Sequence, residues 1–294
     1  MGSSCCRHRL ALLPPRVGAI DLVYLVREGG LEPPRLSALV PKTSASAGSA
    51  TPAKHLRLRL CANLRRVHIP DGFIDAPVSI AAGVIAVGGI AIALRGAKRQ
   101  LDDRLAPMAG LTAVFVFAMQ MVNFPVAAGT SGHLIGAALA AVLVGPWAAV
   151  LAMSIVLVVQ ALIFADGGLS ALGLNIVNLA LVATLAAWVV FRVMVKLLPK
   201  KEFSVVLAAG LAGLVSVPVS ALAFATEFWL GGMAPISVGA VFAAMGGVHV
   251  LIGIGEGLIT GLVVAAVLAV RPDLVYGARY SLARFANLLV SNRS

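Results

Sequence analysis

From residue 76 to residue 270 the chain alternates long apolar runs with short polar breaks. A helix needs about 20 apolar residues to cross the hydrocarbon core of a bilayer. The runs show no period-two alternation, so they predict helices rather than the strands of a transmembrane barrel. The segments that are long enough, or nearly so, are 76–94, 105–125, 133–147, 148–165, 170–194, 203–226 and 239–270. The pattern predicts an all-α integral membrane protein of about seven transmembrane helices, the last with a candidate break at Gly246-Gly247.

Lysine and arginine occur in every second connection between these segments. They lie in 95–104, in 192–202 and in the tail from Arg271, whereas the connections 123–132, 164–171 and 226–237 contain neither residue. The positive-inside rule assigns basic connections to the cytoplasmic side. With seven spans, the start of the first helix is therefore expected outside and the carboxyl terminus inside.

The composition supports this class and divides the chain near residue 66. Of the 294 residues, 60% are hydrophobic and 12% charged, whereas soluble domains have about 25% charged residues. Residues 1–66 hold 11 Lys and Arg against 3 Asp and Glu, a net charge of +8 out of +11 in the whole chain. The basic balance therefore does not indicate a nucleic-acid partner. All three cysteines also lie in residues 1–66, which leaves the membrane part without disulfides or thiolate metal ligands.

Residues 1–66 are rich in proline, with a Ser/Thr/Ala run from Thr43 to Thr51, a composition typical of disorder. The apolar run after Arg9 is too short for a signal peptide, and the Arg- and Ser-rich, acid-poor composition leaves a transit peptide as an alternative. The stretch "GGLEPPRLSALVPKTSASAGSATPA" resembles a transfer-RNA gene translated on the wrong strand. We therefore expect residues 1–66 to be a gene-start artefact, with translation beginning at Val67 from a GUG codon and a transmembrane domain spanning 67–294.

Two histidines stand on the predicted outer side. His68 precedes a Pro-Asp-Gly turn, and His133 follows the sequence "GTSG". Two imidazoles without cysteine suggest a nitrogen-rich metal site, and square-planar nitrogen coordination is typical of Ni²⁺ or Cu²⁺. Two ligands are too few for a tight site, so further donors are required.

Polar side chains also occur inside the apolar segments. His249 and Glu256 are seven residues apart and share a helix face, so they could act in transport or form a structural pair. Polar groups within spans usually face the bundle interior or a water-filled path. Interhelical hydrogen bonding is the simpler interpretation for Gln120, Asn123, Gln160, Asn175 and Asn178.

Four stretches together resemble a known family. "VHIPDGFIDAP", "FVFAMQMVNFPVAAGTSGHLIGAALAAVLVGPWAA", "QALIFADGGLSALGLNIVN" and "HVLIGIGEGLITG" are similar to the CbiM/NikM family, over essentially all of 67–270. Its members are the substrate-capture (S) subunits of energy-coupling-factor transporters for cobalt and nickel. The resemblance implies a multi-pass protein of the bacterial plasma membrane that binds metal on its outer face.

In that family the metal is captured by the amino terminus of the protein itself. The implied ligands are the α-amine of Val67 as initiating residue, the backbone nitrogen and imidazole of His68, and the imidazole of His133. The first three close adjacent five- and six-membered chelate rings, and binding should weaken as pH falls because donors must lose protons. As written, the nitrogen of Val67 is tied into a peptide bond with Arg66, so initiation or cleavage at residue 67 is required. Candidates for residues around the metal or along its path are Asn123, Ser131, Asn175, His249 and Glu256.

The resemblance also implies partners: a transmembrane coupling (T) subunit, two ATPase subunits and a small accessory membrane subunit. The sequence has no G-x-x-x-x-G-K-[ST] phosphate loop, so the chain is expected not to be an enzyme and ATP to be hydrolysed by partners. Cobalt is slightly favoured over nickel, because the chain ends soon after the last span, and it would supply cobalamin synthesis. One alternative is an ion-coupled secondary transporter with Glu256 and His249 as a proton relay. An intramembrane metallohydrolase is disfavoured, because no H-E-x-x-H motif is present.

Overall fold

A computed structural model of the protein describes residues 68–100, 105–121, 123–125 and 131–280. All of these residues belong to one compact unit, Pro52–Ser294. The basic segment 1–66 and Val67 lie outside the described residues, and so do the expectations placed on them.

Each of the seven predicted apolar segments contains a helix, which confirms the all-α class. The helices are α1 (Ala76–Gln100), α2 (Leu105–Gln120), α3 (Ala137–Val144), α4 (Pro146–Ile163), α5 (Leu172–Leu197), α6 (Glu202–Gly231) and α7 (Val238–Val270). Between α2 and α3, strands β1 (Asn123–Pro125) and β2 (Ser131–His133) pair antiparallel. Residues Ile176–Val182 of α5 are π-helical, and two short 3₁₀ turns, Pro272–Leu274 and Tyr276–Tyr280, follow α7.

The structure does not confirm seven membrane spans. Among the described residues, five helices are long and apolar enough to cross a membrane: α1, α4, α5, α6 and α7. Helix α2 has 16 residues and α3 only eight, which is about 12 Å at 1.5 Å per residue. Every residue of α3 is buried, and an apolar run alone does not distinguish a buried core helix from a span. Helix α7 continues through Gly246 and Gly247 without the break that the sequence suggested.

Large apolar side chains cover much of the outer surface of the bundle. Helix α1 exposes Ile80, Val84, Ile85 and Val87. Exposed apolar surface of this extent is unusual for a soluble protein and is expected where helices face lipid.

One end of the bundle gathers the polar connections, and the other end carries the basic residues. Segment 68–75, before α1, joins the α6–α7 connection by an isolated bridge between Ile74 and Gly232 and by a 2.8 Å hydrogen bond from Asp75 N to Gly231 O. Basic residues lie at the far ends of the helices that start here. They are Lys98 and Arg99 in α1, Lys196 in α5 and Arg271 after α7.

Glycines allow α6 and α7 to approach backbone to backbone. A Cβ added to Gly257 would lie 2.6 Å from the carbonyl oxygen of Gly210, and one added to Gly253 would lie 2.5 Å from that of Leu214. Real Cβ atoms cannot approach carbonyl oxygens so closely. Glycine at these positions therefore sets the distance between the two helices, as in other close helix crossings in membranes.

Gly257→Ala should destabilise the protein by about 1–3 kcal/mol, because the added methyl group meets a backbone atom that cannot turn away. The measurement is the thermal unfolding midpoint of the purified protein in detergent. Gly255→Ala is the matched control on the same helix, since nothing lies within 4 Å of its added Cβ. It should be neutral or stabilising by up to about 1 kcal/mol, and an equal loss in both variants would contradict the close-packing argument.

Candidate metal centre

The main chain beside His68 is held by the amide of Asn175 and by the α4–α5 loop. Ile69 N donates to Asn175 Oδ1 at 3.1 Å, and Asn175 Nδ2 donates to Ile69 O at 3.4 Å. Gly168 N also donates to Ile69 O, at 2.9 Å. The Asn175 side chain therefore pairs with both backbone polar atoms of Ile69, as a neighbouring strand would, and fixes the segment that carries His68.

The same loop binds the turn that follows His68. Asp71 Oδ1 accepts hydrogen bonds from Ser170 N at 2.8 Å and from Ser170 Oγ at 2.6 Å. Gly167 has φ +99°, and a Cβ there would meet His68 Cβ at 3.0 Å; a Cβ on Gly168 would collide with Asp71. The glycine pair lets the loop close over the segment. Asp71 was expected to be a turn residue only. Its hydrogen bonds with Ser170 also join the segment before α1 to the α4–α5 loop.

The rings of His68 and His133 face each other at the polar end of the bundle. Their centroids are 4.9 Å apart, the ring planes are inclined by 50°, and both residues are buried. His133 Nδ1 lies 2.8 Å from Leu134 O. Because a carbonyl can only accept, this nitrogen carries the proton and Nε2 keeps the lone pair. Burial, and then the neighbouring His68 ring, lower the pKa of His133 to about 3, so the imidazole is neutral and able to bind a metal.

The imidazole of His68 is buried with neither ring nitrogen in a hydrogen bond. Its Nδ1 lies 3.1 Å from Asp166 Oδ2, a contact distance at which the direction of approach falls short of a hydrogen bond. A buried polar group without a partner costs about 1–3 kcal/mol. The His68 ring is thus a buried polar group that lies next to a second buried imidazole.

Glu256 holds the turn that follows His133. Its Oε2 accepts from Ile135 N at 2.9 Å and its Oε1 accepts from Gly136 N at 2.7 Å. On the opposite side of the same turn, Gln120 Nε2 donates to Ile135 O at 2.7 Å. Gly136, with φ +80°, then starts α3. A carboxylate of α7 therefore fixes the backbone next to His133.

A structural pair with His249 was one of two roles that the sequence left open for Glu256, and the partners of Glu256 in the structure are different. Both Glu256 oxygens are engaged by main-chain N–H groups, and Nδ1 of His249 is buried without a hydrogen-bond partner. The two side chains share a helix face, but within the described residues no hydrogen bond joins them. The geometry thus gives a proton relay through this pair no support.

The structure describes the remaining candidates to different extents. Asn123 and Ser131 are described through their backbones alone, where Asn123 pairs with His133 across β1 and β2. Asn178 forms the interhelical hydrogen bond expected of it: its Nδ2 donates to Glu227 Oε2 at 2.6 Å. Val67 lies outside the described residues.

Two carboxylates that contact candidate residues were not predicted from the sequence. Asp166 contacts His68, and Glu227 binds Asn178. For Asp166 a signal was present, since it precedes two glycines in a connection assigned to the same side as His68. Among the described residues, no three His, Cys, Asp or Glu side chains gather into a metal site.

Comparisons with known proteins agree on one family. Residues 68–274 match the family described as "cobalt uptake substrate-specific transmembrane region". A putative metal transport protein of Haloquadratum walsbyi is 39% identical over 213 residues, which cover 71% of this chain and 94% of that protein. A putative fused nickel transport protein of Archaeoglobus fulgidus is 36% identical over 71% of this chain and 68% of its own length. The solved structure of a truncated transition metal transporter is 33% identical, with a TM-score of 0.63, and the match covers 69% of this chain and 98% of that one.

Glu256→Gln should destabilise the protein by about 1–3 kcal/mol, because the new amide NH₂ would face a backbone N–H and leave it without an acceptor. Thermal unfolding in detergent, without added metal, measures the loss. The matched control is Glu202→Gln, which changes an exposed glutamate in the first turn of α6. There the loss should stay below about 1 kcal/mol, the usual range for a charge at a helix terminus. If the two variants lowered the unfolding midpoint equally, the hydrogen bonds from Ile135 N and Gly136 N to Glu256 would not be what stabilises the fold.

Proposed function

The chain belongs to the family of cobalt uptake substrate-specific transmembrane regions, and on that premise we propose that it captures Co²⁺ or Ni²⁺ for import across a membrane. The observation that carries the proposal is the buried imidazole of His68, whose ring nitrogens form no hydrogen bond and which faces the neutral His133 ring at 4.9 Å. Imidazole nitrogen suits both metals. The names of the relatives, which include a nickel transport protein, support the same substrate class.

The proposed ligands are four nitrogens. They are the α-amine of residue 67, the main-chain nitrogen and Nδ1 of His68, and the imidazole of His133. The first three close a five-membered and a six-membered chelate ring in one plane, and His133 fills the open corner through Nε2, since Leu134 O binds its Nδ1. A set with two main-chain donors fits a site where His, Cys, Asp and Glu side chains do not converge in threes among the described residues.

This ligand set requires the working protein to begin at residue 67. The family match begins at residue 68. Arg65 and Arg66 would otherwise stand on the outer side next to the first span, against the positive-inside rule.

The proposed setting is the bacterial plasma membrane, with the histidine end of the bundle outside and the basic end inside. Partners would be a transmembrane coupling subunit and two ATPase subunits, with a small accessory membrane subunit, so that ATP hydrolysis in the ATPases drives release inward. The Archaeoglobus fulgidus relative, named as a fused transport protein, extends beyond the part that this chain matches. Cobalt is the favoured metal, with cobalamin synthesis as the destination.

Release of the amino terminus at residue 67 should create the metal site. In the full chain, residues 63–66 are replaced by Ile-Glu-Gly-Arg, and a protease specific for that sequence cuts after position 66 once the protein is folded and purified. Isothermal titration with Ni²⁺ and with Co²⁺ before and after cleavage should show tight binding only after it. The reason is that only cleavage supplies the α-amine.

In the cleaved protein, His68→Ala and His133→Ala should each weaken binding by more than about 100-fold, beyond the loss caused by residues that only orient a ligand. Glu202→Gln is the control, because Glu202 is an exposed residue in the first turn of α6, at the basic end of the bundle, and it should bind as wild type does. Equal affinity before and after cleavage would remove the α-amine from the site. Unchanged affinity in either ligand variant would remove that histidine.

Import should require the ATPase partners. Cells that co-express the chain with the coupling and ATPase subunits should accumulate radioactive cobalt and, more weakly, nickel. The same cells carrying a Lys-to-Ala change in the phosphate loop of the ATPases should not. Uptake by the chain alone in liposomes under a proton gradient would favour the secondary transporter instead.

A further inference from the structure

We propose that Asp166 is a positioning residue of the metal centre, whose carboxylate orients the His68 imidazole in the empty site and offsets the charge of the divalent cation in the filled one. This inference rests on the proposed function and adds a residue that the sequence analysis did not select.

The contact between the two side chains is direct. Asp166 Oδ2 lies 3.1 Å from His68 Nδ1, and the relative exposures of the side chains are 16% for Asp166 and 1% for His68. The carboxylate is therefore the partner closer to solvent.

The backbone of the α4–α5 loop aims Asp166 at this position. Asp166 N donates to Gln160 O, at the end of α4, at 3.1 Å. The residues on either side have positive φ, +51° for Ala165 and +99° for Gly167. A non-glycine residue in this region is uncommon and is maintained only when its surroundings require it. The backbone conformation of this turn therefore determines that the Asp166 carboxylate lies beside the His68 ring.

The nitrogen that Asp166 contacts is the one that the proposed chelate uses. A carboxylate near a metal-binding histidine usually holds the ring nitrogen that does not bind the metal. Here it lies on Nδ1, which closes the six-membered ring with the main-chain nitrogen of His68. The arriving metal must displace the carboxylate from Nδ1, and the carboxylate then remains beside the cation.

The charge of Asp166 matters most in the filled site. The four proposed donors are nitrogens, and a buried divalent cation held by them has no carboxylate ligand. In surroundings of low dielectric constant, a negative charge a few ångströms away interacts strongly with such a cation. Asp166 supplies that charge without occupying a corner of the ligand plane.

The test compares variants of the cleavable chain, after cleavage at residue 66, by titration with Ni²⁺. Asp166→Asn keeps the shape of the side chain and removes the charge, and it should weaken binding by about 10–100-fold. Asp166→Glu keeps the charge, and it should bind more tightly than Asp166→Asn. A purely structural role predicts the opposite order, because asparagine is closer to aspartate in shape. The ligand-field absorption of bound Ni²⁺ should be the same in wild type and Asp166→Asn, since Asp166 is not a ligand.

Asp273→Asn is the matched control. It removes an aspartate paired with Arg271 in the turn after α7, at the basic end of the bundle, and its Ni²⁺ affinity should equal that of wild type. Size-exclusion chromatography and metal-free thermal unfolding check that each variant is folded. If Asp166→Asn fails to fold, Asp166→Ser takes its place.

The outcomes separate the two proposals. Asp166→Asn that binds as tightly as wild type, or more tightly than Asp166→Glu, would overturn the role of Asp166. A changed Ni²⁺ spectrum in Asp166→Asn would also overturn it, by making Asp166 a ligand. Cleaved wild-type protein that binds no metal, or His68→Ala that binds as wild type does, would overturn the proposed function itself.

Discussion

A polar group inside an apolar helix bundle must find its partner within the protein, because lipid offers none. Glu256 meets this demand with two backbone N–H groups, and Asn175 meets it with both polar atoms of Ile69. Both partners are main-chain atoms of irregular segments, so satisfying the side chains also fixes those segments. The two segments so fixed carry His68 and His133. Not every buried group meets this demand: among the described residues, both ring nitrogens of His68 and both amide atoms of Gln160 are buried without a hydrogen bond.

The sequence was sufficient for the helical class, because long apolar runs without period-two alternation have few other solutions. It was not sufficient for the number of spans. The run that becomes α3 is as apolar as its neighbours, yet its eight residues are all buried inside the bundle. Whether an apolar helix faces lipid or protein depends on what packs around it, and hydropathy does not contain that information.

The site shows the same limit. His68 and His133 could be singled out because each is a histidine next to a turn signal on the same predicted side, and the structure places their rings 4.9 Å apart. The partner of Glu256 could not be found in this way, because backbone N–H groups leave no mark in a side-chain pattern. His249, seven residues away on the same face, was one possible partner on sequence grounds, and within the described residues no hydrogen bond joins the two side chains. Asp166 was missed because loop carboxylates usually face solvent.

Helices α6 and α7 and the connection between them contact both segments that carry the histidines. The connection between α6 and α7 bridges to Ile74, in the segment 68–75 that carries His68, and Glu256 of α7 holds the turn after His133. Gly257, the neighbour of Glu256, lies at one of the positions where the two backbones are in close contact. The packing that sets the distance between α6 and α7 therefore also sets where the carboxylate of Glu256 points. The two imidazoles lie on different connections, and each connection contacts the α6–α7 pair. The position of one imidazole relative to the other therefore depends on the packing of that pair.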